Sequence, residues 1–529
     1  MKFLKFITFT ISLIFLYLTF FFIKLPQWIF NIFGKVSLEQ ILFFTTNKIE
    51  GTFSPIIDSF IKNVILQCFL NVIFIICCVI LIVILKKEYK IHFNLKKKIL
   101  FYFFLFISCV IFVINYKLKF ITILPILKIS VIAVLFTMLM AILFSKNKFI
   151  GKSLLTYSFF SLILSFFNFC FIYDGFEYIY NELFPKYSNF YEQYYVNPKT
   201  ADITVPINKR NLLLICLESM DYSIIDYVSQ YYNLDFDNIS KTNLSFTNYI
   251  SGTCQYPTKQ ALVSMTTGIP FNDTTNLFEK FFGNKKTNID LENNYSIYQI
   301  LKDNGYSLFF LKGASTVFAN TETFLKAHGF QDSQICGLEK IRQEYKQIKE
   351  QWYGFDDRDV YEILKSKIIF FESKQIPFFI TMFTVQSHAG PNNKIKENSF
   401  LIKMSSDLLV NFLEWFKKQS CYENTTIILI GDHHRIGNNF DLKTEEDKRI
   451  YNVFINPVFI PDNTNRSFNQ VDLFPSILES IGFKIKSSKL GIGTSIFSNE
   501  QTLLEKFGKK QLEKYIKQRN KLYESFFRN

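Results

Sequence analysis

The stretch Asn211-Leu-Leu-Leu-Ile-Cys-Leu-Glu218-Ser219 decides the fold. Six apolar residues in a row, entered through Asn-Lys-Arg-Asn and closed by a carboxylate, read as a parallel strand buried on both faces. Ligands of an open α/β sheet bind outside the carboxyl ends of its strands. Glu218 stands at that edge and is read as a metal ligand.

Downstream of this strand, apolar runs alternate with amphipathic stretches. Further strands are expected at Tyr306–Leu311, Pro377–Val385, Thr425–Ile430 and Asn452–Ile460. Helices are expected after Thr258, around Leu301, and over Asp356–Glu372, Ser405–Lys418 and Val471–Ile481. Strands separated by helices predict an α/β domain with a mostly parallel central sheet covered on both faces. It occupies residues 206–500, and residues 501–529 read as a charged helical tail.

Upstream, residues 1–173 hold five apolar segments of spanning length, at Phe6–Ile23, Val64–Leu85, Ile99–Asn115, Ile121–Phe144 and Leu154–Tyr173. The first lacks a small-residue cleavage site and is followed by four more, so it reads as a retained helix rather than a signal peptide. The basic joint Lys86–Lys98 and the group Lys146, Lys148 and Lys152 suit the cytoplasmic side. The N-terminus is then inside, and everything after Tyr173 is outside. Residues 174–205 crowd Tyr and Phe between charges and read as an interfacial linker, either along the bilayer or as an ordinary linker helix.

Composition agrees with a membrane protein of more than one domain. The chain has 529 residues, nearly half of them apolar, with 64 Phe and a formal charge of +14. Lysine is spread along the chain without a basic, aromatic-interleaved block, so no nucleic-acid partner is expected, and the charge fits anionic lipid. The nine cysteines form no metal pattern. Five fall in apolar segments, Cys216 lies in the strand, and one disulfide among Cys254, Cys336 and Cys421 is open to an oxidising compartment.

Four residues gather at the useful edge of such a sheet. Glu218 ends the first strand, Thr258 opens a helix closed by Gly268, and Asp432 and His433 follow the strand Thr-Thr-Ile-Ile-Leu-Ile-Gly431. Two acids, an imidazole and a hydroxyl suit Zn²⁺ or Mn²⁺. A Thr hydroxyl holds its proton too tightly to be a good nucleophile at neutral pH, and a metal lowers that barrier. A helix N-terminus favours an arriving phosphate. Each residue alone has a plainer reading: Thr258 as an N-cap, Glu218 as a solvated loop acid, His388 as a hydrogen-bonded loop histidine.

Together these residues resemble the sulfatase/alkaline-phosphatase superfamily. Within it the closest resemblance is to membrane-anchored lipid-headgroup transferases: lipoteichoic acid synthases, glucan phosphoglycerol transferases and lipid A phosphoethanolamine transferases. Leu-Leu-Leu-Ile-Cys-Leu-Glu218-Ser is similar to the family's first metal strand, and Gly431-Asp-His433 to its second metal motif. Ser251-Gly-Thr-Cys-Gln-Tyr-Pro-Thr258-Lys-Gln-Ala-Leu-Val-Ser-Met-Thr-Thr-Gly268 resembles the nucleophile helix of the phosphoglycerol transferases, and its spacing to Gly268 selects Thr258 over Thr253. Val385-Gln-Ser-His388 resembles the substrate-side histidine loop, and Lys312–Phe330 a block shared with the phosphoglycerol group. Asp472-Leu-Phe-Pro-Ser-Ile-Leu and Gly491-Ile-Gly-Thr-Ser-Ile-Phe resemble hallmarks near the C-terminus.

The departures narrow the choice. The Cys/Ser-x-Pro-x-Arg motif of a sulfatase is replaced by Thr258 with no following Arg, and the phosphoethanolamine-type cysteine segment is missing. The resemblance thus implies an enzyme moving phosphoglycerol from a phospholipid donor to an envelope glycan acceptor through a covalent phosphothreonine. Thr258 is the expected nucleophile and His388 the acid/base. Glu218, Thr258, Asp432 and His433 would hold the metal, and Lys312, His388 and His434 would lie on the substrate side. His434 could also act from behind the ligands, and His328 is expected to be structural. Alternatives from other classes are a phosphoethanolamine transferase, a sulfatase-like phosphodiesterase, and a non-catalytic transporter or scaffold.

Overall fold

The computed structural model describes residues 2–33, 54–88, 150–173, 175–176, 180, 183–251, 258–271, 293–317, 320–351, 354–388, 395–435 and 449–526. They divide into two compact units, one N-terminal and helical, the other running from Tyr180 to the C-terminus.

Three segments of the N-terminal unit are long and apolar enough to cross a membrane: Phe6–Ile29, Ile57–Cys77 and Leu154–Ile172. The expected third and fourth spans lie outside the described residues. The first helix, Lys2–Phe33, continues through Pro26 and so extends beyond the expected end at Ile23. It packs on the helix Ile150–Ile172, with the Phe22 ring 5.3 Å from Phe166 and 5.5 Å from Phe169. The buried hydroxyls of Ser12 and Thr19 donate to the carbonyls of Thr8 and Phe15 one turn back, which satisfies them inside the helix.

The second unit is built on a six-stranded sheet. Its strands are β1 (Asn211–Leu217), β2 (Ser307–Lys312), β3 (Ile335–Cys336), β4 (Phe378–Phe383), β5 (Thr425–Gly431) and β6 (Asn452–Ile455), in the spatial order β6-β5-β1-β4-β2-β3. All pairings are parallel except that of β6 with β5. Side chains alternate across the sheet because the strand period is two. Leu212, Leu214 and Cys216 of β1 face the helices Thr258–Thr267 and Gln470–Ser480. Leu213, Ile215 and Leu217 face Tyr222–Ser229, Asp357–Lys374 and Ile395–Phe416. Each such Leu or Ile, fully removed from water, stabilises the fold by about 1.5–3 kcal/mol.

The structure corrects several expected boundaries. β6 stops at Ile455, five residues short, because Asn456 turns left-handed (φ 51°) and Pro457 has no N–H to continue the ladder. The helix expected from Ser405 begins at Ile395. Ser405 and Ser406 are buried inside it, and the Ser406 hydroxyl accepts the Asp235 N–H at 3.0 Å instead of capping. In the 174–205 stretch, Phe190 and Tyr191 are buried in a five-residue helix. Phe190 stacks on Tyr515 at 5.4 Å and Tyr191 lies 4.8 Å from Tyr523. The tail forms the helices Leu503–Lys517 and Lys521–Ser525. Cys336 and Cys421 are free thiols, and Cys254 lies outside the described residues.

The parallel strands deliver Glu218, Lys312, His388 and Asp432 to one edge. Gly431, the last residue of β5, makes this possible: a Cβ there would sit 2.0 Å from the Met220 carbonyl oxygen and 2.6 Å from Ile450 Cγ2. Gly431→Ala must push β5 from the turn after β1, at about 1–3 kcal/mol or more. The expected outcome is a lower thermal unfolding midpoint for the purified chain, and an unchanged midpoint would contradict this packing.

Candidate active site

Strands β1 and β5 run in register, with Leu217 opposite Gly431, so the next residues on each strand, Glu218 and Asp432, emerge side by side. Both are buried. Ser219 adopts a left-handed backbone (φ 52°), unusual for a residue with a Cβ. That turn aims its N–H at Asp432 Oδ1 (2.9 Å) and its hydroxyl at Glu218 Oε1 (2.8 Å). His433 follows with its own N–H on Asp432 Oδ1 at 2.9 Å. Its Nδ1 lies 2.7 Å from the His434 carbonyl oxygen, which holds a proton on Nδ1 and turns Nε2 toward the carboxylates. Nε2 is 3.6 Å from Glu218 Oε1 and 3.4 Å from Asp432 Oδ2.

Thr258 is the first residue of its helix, and its Oγ1 lies 3.2 Å from Glu218 Oε2 and 3.5 Å from His433 Nε2. The far end of that helix is clamped. Gly268 has φ 67°, its carbonyl accepts the Ile492 N–H at 2.9 Å, and a Cβ would meet Leu490 O at 2.7 Å. Asp472 accepts the Thr494 N–H on one oxygen (2.8 Å) and the Asn469 N–H on the other (3.0 Å). Gln470 Nε2 donates to the Asp432 carbonyl at 3.1 Å. The two C-terminal motifs thus fix the Thr258 helix and the Asp432 loop together.

The residues fit a divalent cation. One ligand atom each from Glu218, Asp432 and His433 lies within 4.8 Å of the others, all buried, and Asp432 Oδ2 has no hydrogen-bond partner. Two carboxylate oxygens, an imidazole nitrogen and a nearby hydroxyl are donors for Zn²⁺ or Mn²⁺. The electrostatics agree. Burial pushes the Asp432 carboxyl up to about 6, with the Glu218 charge adding to it and His433 opposing. Burial also works against ionised Glu218, but His433, His388 and Lys312 outweigh it and hold the carboxyl below its ordinary range. His433 is raised despite burial, because Asp432 and Glu218 favour its charged form. The raised values of Asp432 and His433 point one way: the buried acids favour a positive charge at this point, the charge that a cation would supply.

The remaining expected residues share this edge. Lys312 ends β2 and is buried, which lowers its pKa against the pull of Glu218 and Asp432. His388 is exposed on the loop after β4, its N–H donating to Val385 O at 3.1 Å. That loop is held by Asp357, which accepts the N–H groups of Val385 (2.8 Å) and Gln386 (3.0 Å), and by Ser387 Oγ, which donates to the Glu218 carbonyl (2.6 Å). His434 is buried with Nδ1 3.6 Å from Asp221 Oδ2. His328 is fully buried, 3.2 Å from Gln299 Oε1 and 4.3 Å from the Phe324 ring, a packing position.

Sequence reasoning missed Asp221, Arg435 and Asp357. Arg435 Nη1 donates to the Ser387 carbonyl at 2.6 Å, and Asp221 Oδ2 accepts the Arg435 N–H at 3.3 Å. The available signal was adjacency: Asp221 is three residues past Glu218, and Arg435 two past His433. Asp357 has no such neighbour in the chain.

A sulfatase family model matches residues 210–483, more than half of the chain. Phosphoglycerol transferase I of Salmonella typhi is 26% identical over 270 residues, 46% of this chain and 33% of that protein. The chain thus spans about a third of the length of the curated relatives it matches. Among solved structures, an alkaline phosphatase superfamily protein of Vibrio parahaemolyticus has 22% identity and a TM-score of 0.47, covering 59% of this chain and 76% of its own. The lipoteichoic acid synthase LtaP of Listeria monocytogenes has 16% identity and a TM-score of 0.43, covering 56% and 79%.

Asp432→Asn is expected to abolish stoichiometric metal in purified protein, read by elemental analysis. In the unmodified chain, added Zn²⁺ or Mn²⁺ at a hundredfold excess over Kd raises stability by about 2.7 kcal/mol. Because metal must displace the proton, affinity falls as pH drops through about 6, where Asp432 takes up its proton. Metal binding unchanged by the substitution or by acid would contradict the ligand assignment.

Proposed function

The chain belongs to the sulfatase family, and on that premise we propose that it transfers phosphoglycerol from a membrane phospholipid to a cell-envelope glycan through a phosphothreonine on Thr258. The observation that carries this reading is the hydroxyl of Thr258, 3.2 Å from Glu218 Oε2 at the start of a buried helix, beside Asp432 and His433. No residue able to become formylglycine stands there.

Glu218, Asp432 and His433, with Thr258 beside them, would hold a divalent cation, which would supply Lewis acidity at this site. In the first step Thr258 Oγ1 attacks phosphorus, its proton leaving to solvent by way of Glu218 Oε2, to which it is hydrogen-bonded at 3.2 Å. The Oγ1–P bond forms, the P–O bond to diacylglycerol breaks, and His388 protonates the departing alkoxide. In the second step an acceptor hydroxyl gives its proton to His388 and attacks phosphorus. The Oγ1–P bond breaks and Thr258 regains a proton from solvent. Lys312, buried at the same edge, balances phosphate charge. His434, beside Asp221, acts as a positioning residue for the Asp432-His433 loop.

This reading divides the chain into a membrane domain (1–173) of five spans, an interfacial linker (174–205), a catalytic domain (206–500) on the extracytoplasmic face of an inner membrane, and a charged helical tail (501–529). Membrane anchoring supports a lipid donor because it raises the donor's effective concentration at the site.

Thr258→Ala is expected to remove headgroup transfer altogether, at least about 10³-fold, while the chain stays membrane-inserted and folded. The assay follows diacylglycerol release and glycan modification with phosphatidylglycerol and, in parallel, phosphatidylethanolamine. Full activity in that variant would overturn the nucleophile. Headgroup release without acceptor modification would make the enzyme a hydrolase.

A further inference from the structure

The tail after the catalytic sheet is strongly basic and asymmetrically disposed. Residues 503–526 contain seven Lys or Arg against three acids. Leu512, Ile516, Tyr523 and Phe526 are buried in the core. Lys510, Lys514 and Lys517 recur at the spacing of a single helix face, and these three, with Lys506 and Lys521, are exposed. The face keeps a positive excess, five exposed lysines against one partly exposed acid. Glu505 is bound to Arg466 and Glu524 to Arg519, each at 2.8 Å, and Glu513 is only partly exposed.

A second observation lies beside it. Leu183, Phe184 and Tyr187 are 60%, 61% and 53% exposed, a density of bare apolar side chains that a surface in water does not favour. The tail braces this run directly. The Arg519 N–H donates to the Lys186 carbonyl, the Ser188 N–H donates to the Arg519 carbonyl, and the Arg519 guanidinium lies 5.7 Å from the Tyr187 ring. Exposed aromatics next to a lysine face match the two layers of a bilayer surface: the headgroup boundary, where aromatic rings settle, and the negative charge above it.

We propose that the tail and the aromatic run it braces form a docking surface for an anionic lipid bilayer. The occupant follows from charge complementarity and from the position of the run, which begins eleven residues after the end of the membrane-length segment Leu154–Ile172. Docking there gathers anionic lipid around the catalytic unit. The inference shares with the proposed function the premise of a lipid-facing enzyme, but its readout does not depend on turnover.

The test is lysine footprinting of the full-length chain in nanodiscs. A water-soluble amine reagent is applied in discs of phosphatidylcholine alone and in discs containing phosphatidylglycerol, and labelling is read by peptide mass spectrometry. Each lysine at an anionic surface is worth roughly a fivefold shift in occupancy. Labelling of Lys506, Lys510, Lys514, Lys517 and Lys521 should slow at least fivefold in the anionic discs and recover at high salt. Lys374 and Lys418, exposed elsewhere on the unit, should not change. In the variant K510E/K514E/K521E, Lys506 and Lys517 should label equally in both discs. Equal labelling of the tail in both discs of the unmodified chain, or equal slowing at Lys374 and Lys418, overturns the proposal. Headgroup transfer is measured in the same discs: its absence alongside a protected tail would sink the proposed reaction and leave the docking surface standing.

Discussion

Two carboxylates buried side by side are the constraint on which the rest of this protein depends. Glu218 and Asp432 leave adjacent parallel strands in register, and their ligand oxygens lie within 4.8 Å of each other. Two unit charges at that separation repel by about 3–4 kcal/mol at an effective dielectric near 20, before the cost of burying either. Such a pair persists in a folded core only with a counter-charge. His433, Lys312 and Arg435 supply part of it from the protein. Asp432 Oδ2, 3.4 Å from His433 Nε2 but without a hydrogen bond, has room for a further ligand-bound charge.

Distant segments are recruited to hold that pair open to one side. The Asp432 carbonyl is tied to Gln470, Glu218's carbonyl to Ser387, and Ser387's carbonyl to Arg435. Asp472 secures the loop whose Ile492 N–H caps the carbonyl of Gly268, and so fixes the axis of the Thr258 helix. The nucleophile candidate thus stands at the N-terminus of a helix whose far end is hydrogen-bonded and closely packed, an arrangement that holds the Thr258 hydroxyl beside the carboxylates.

Much of this was legible in the chain itself. The unbroken run Leu212–Leu217 has one physical reading, a strand hidden on both faces, and Glu218 at its end follows from topology alone. Asp432-His433 was legible because it ends an apolar run, whereas Thr258, on its own an ordinary N-cap, was picked out by the resemblance and its spacing to Gly268. The direction of β6 was not legible, since an apolar run looks the same in either sense. Asp221, Asp357 and Arg435 act on segments tens to hundreds of residues away, through contacts that no local pattern encodes. The stretch holding Phe190 and Tyr191 was open to two readings, along the bilayer or as an ordinary linker helix, because the tail that covers these rings lies more than 300 residues downstream.

The measurement that bears most directly on the account is peptide mass spectrometry of the segment carrying Thr258, after rapid quenching of the full-length chain with phosphatidylglycerol and no acceptor. The account predicts a glycerophosphoryl increment on Thr258 that disappears when an acceptor glycan is added and is absent when metal is removed. An unmodified Thr258 under conditions where diacylglycerol is released would contradict it.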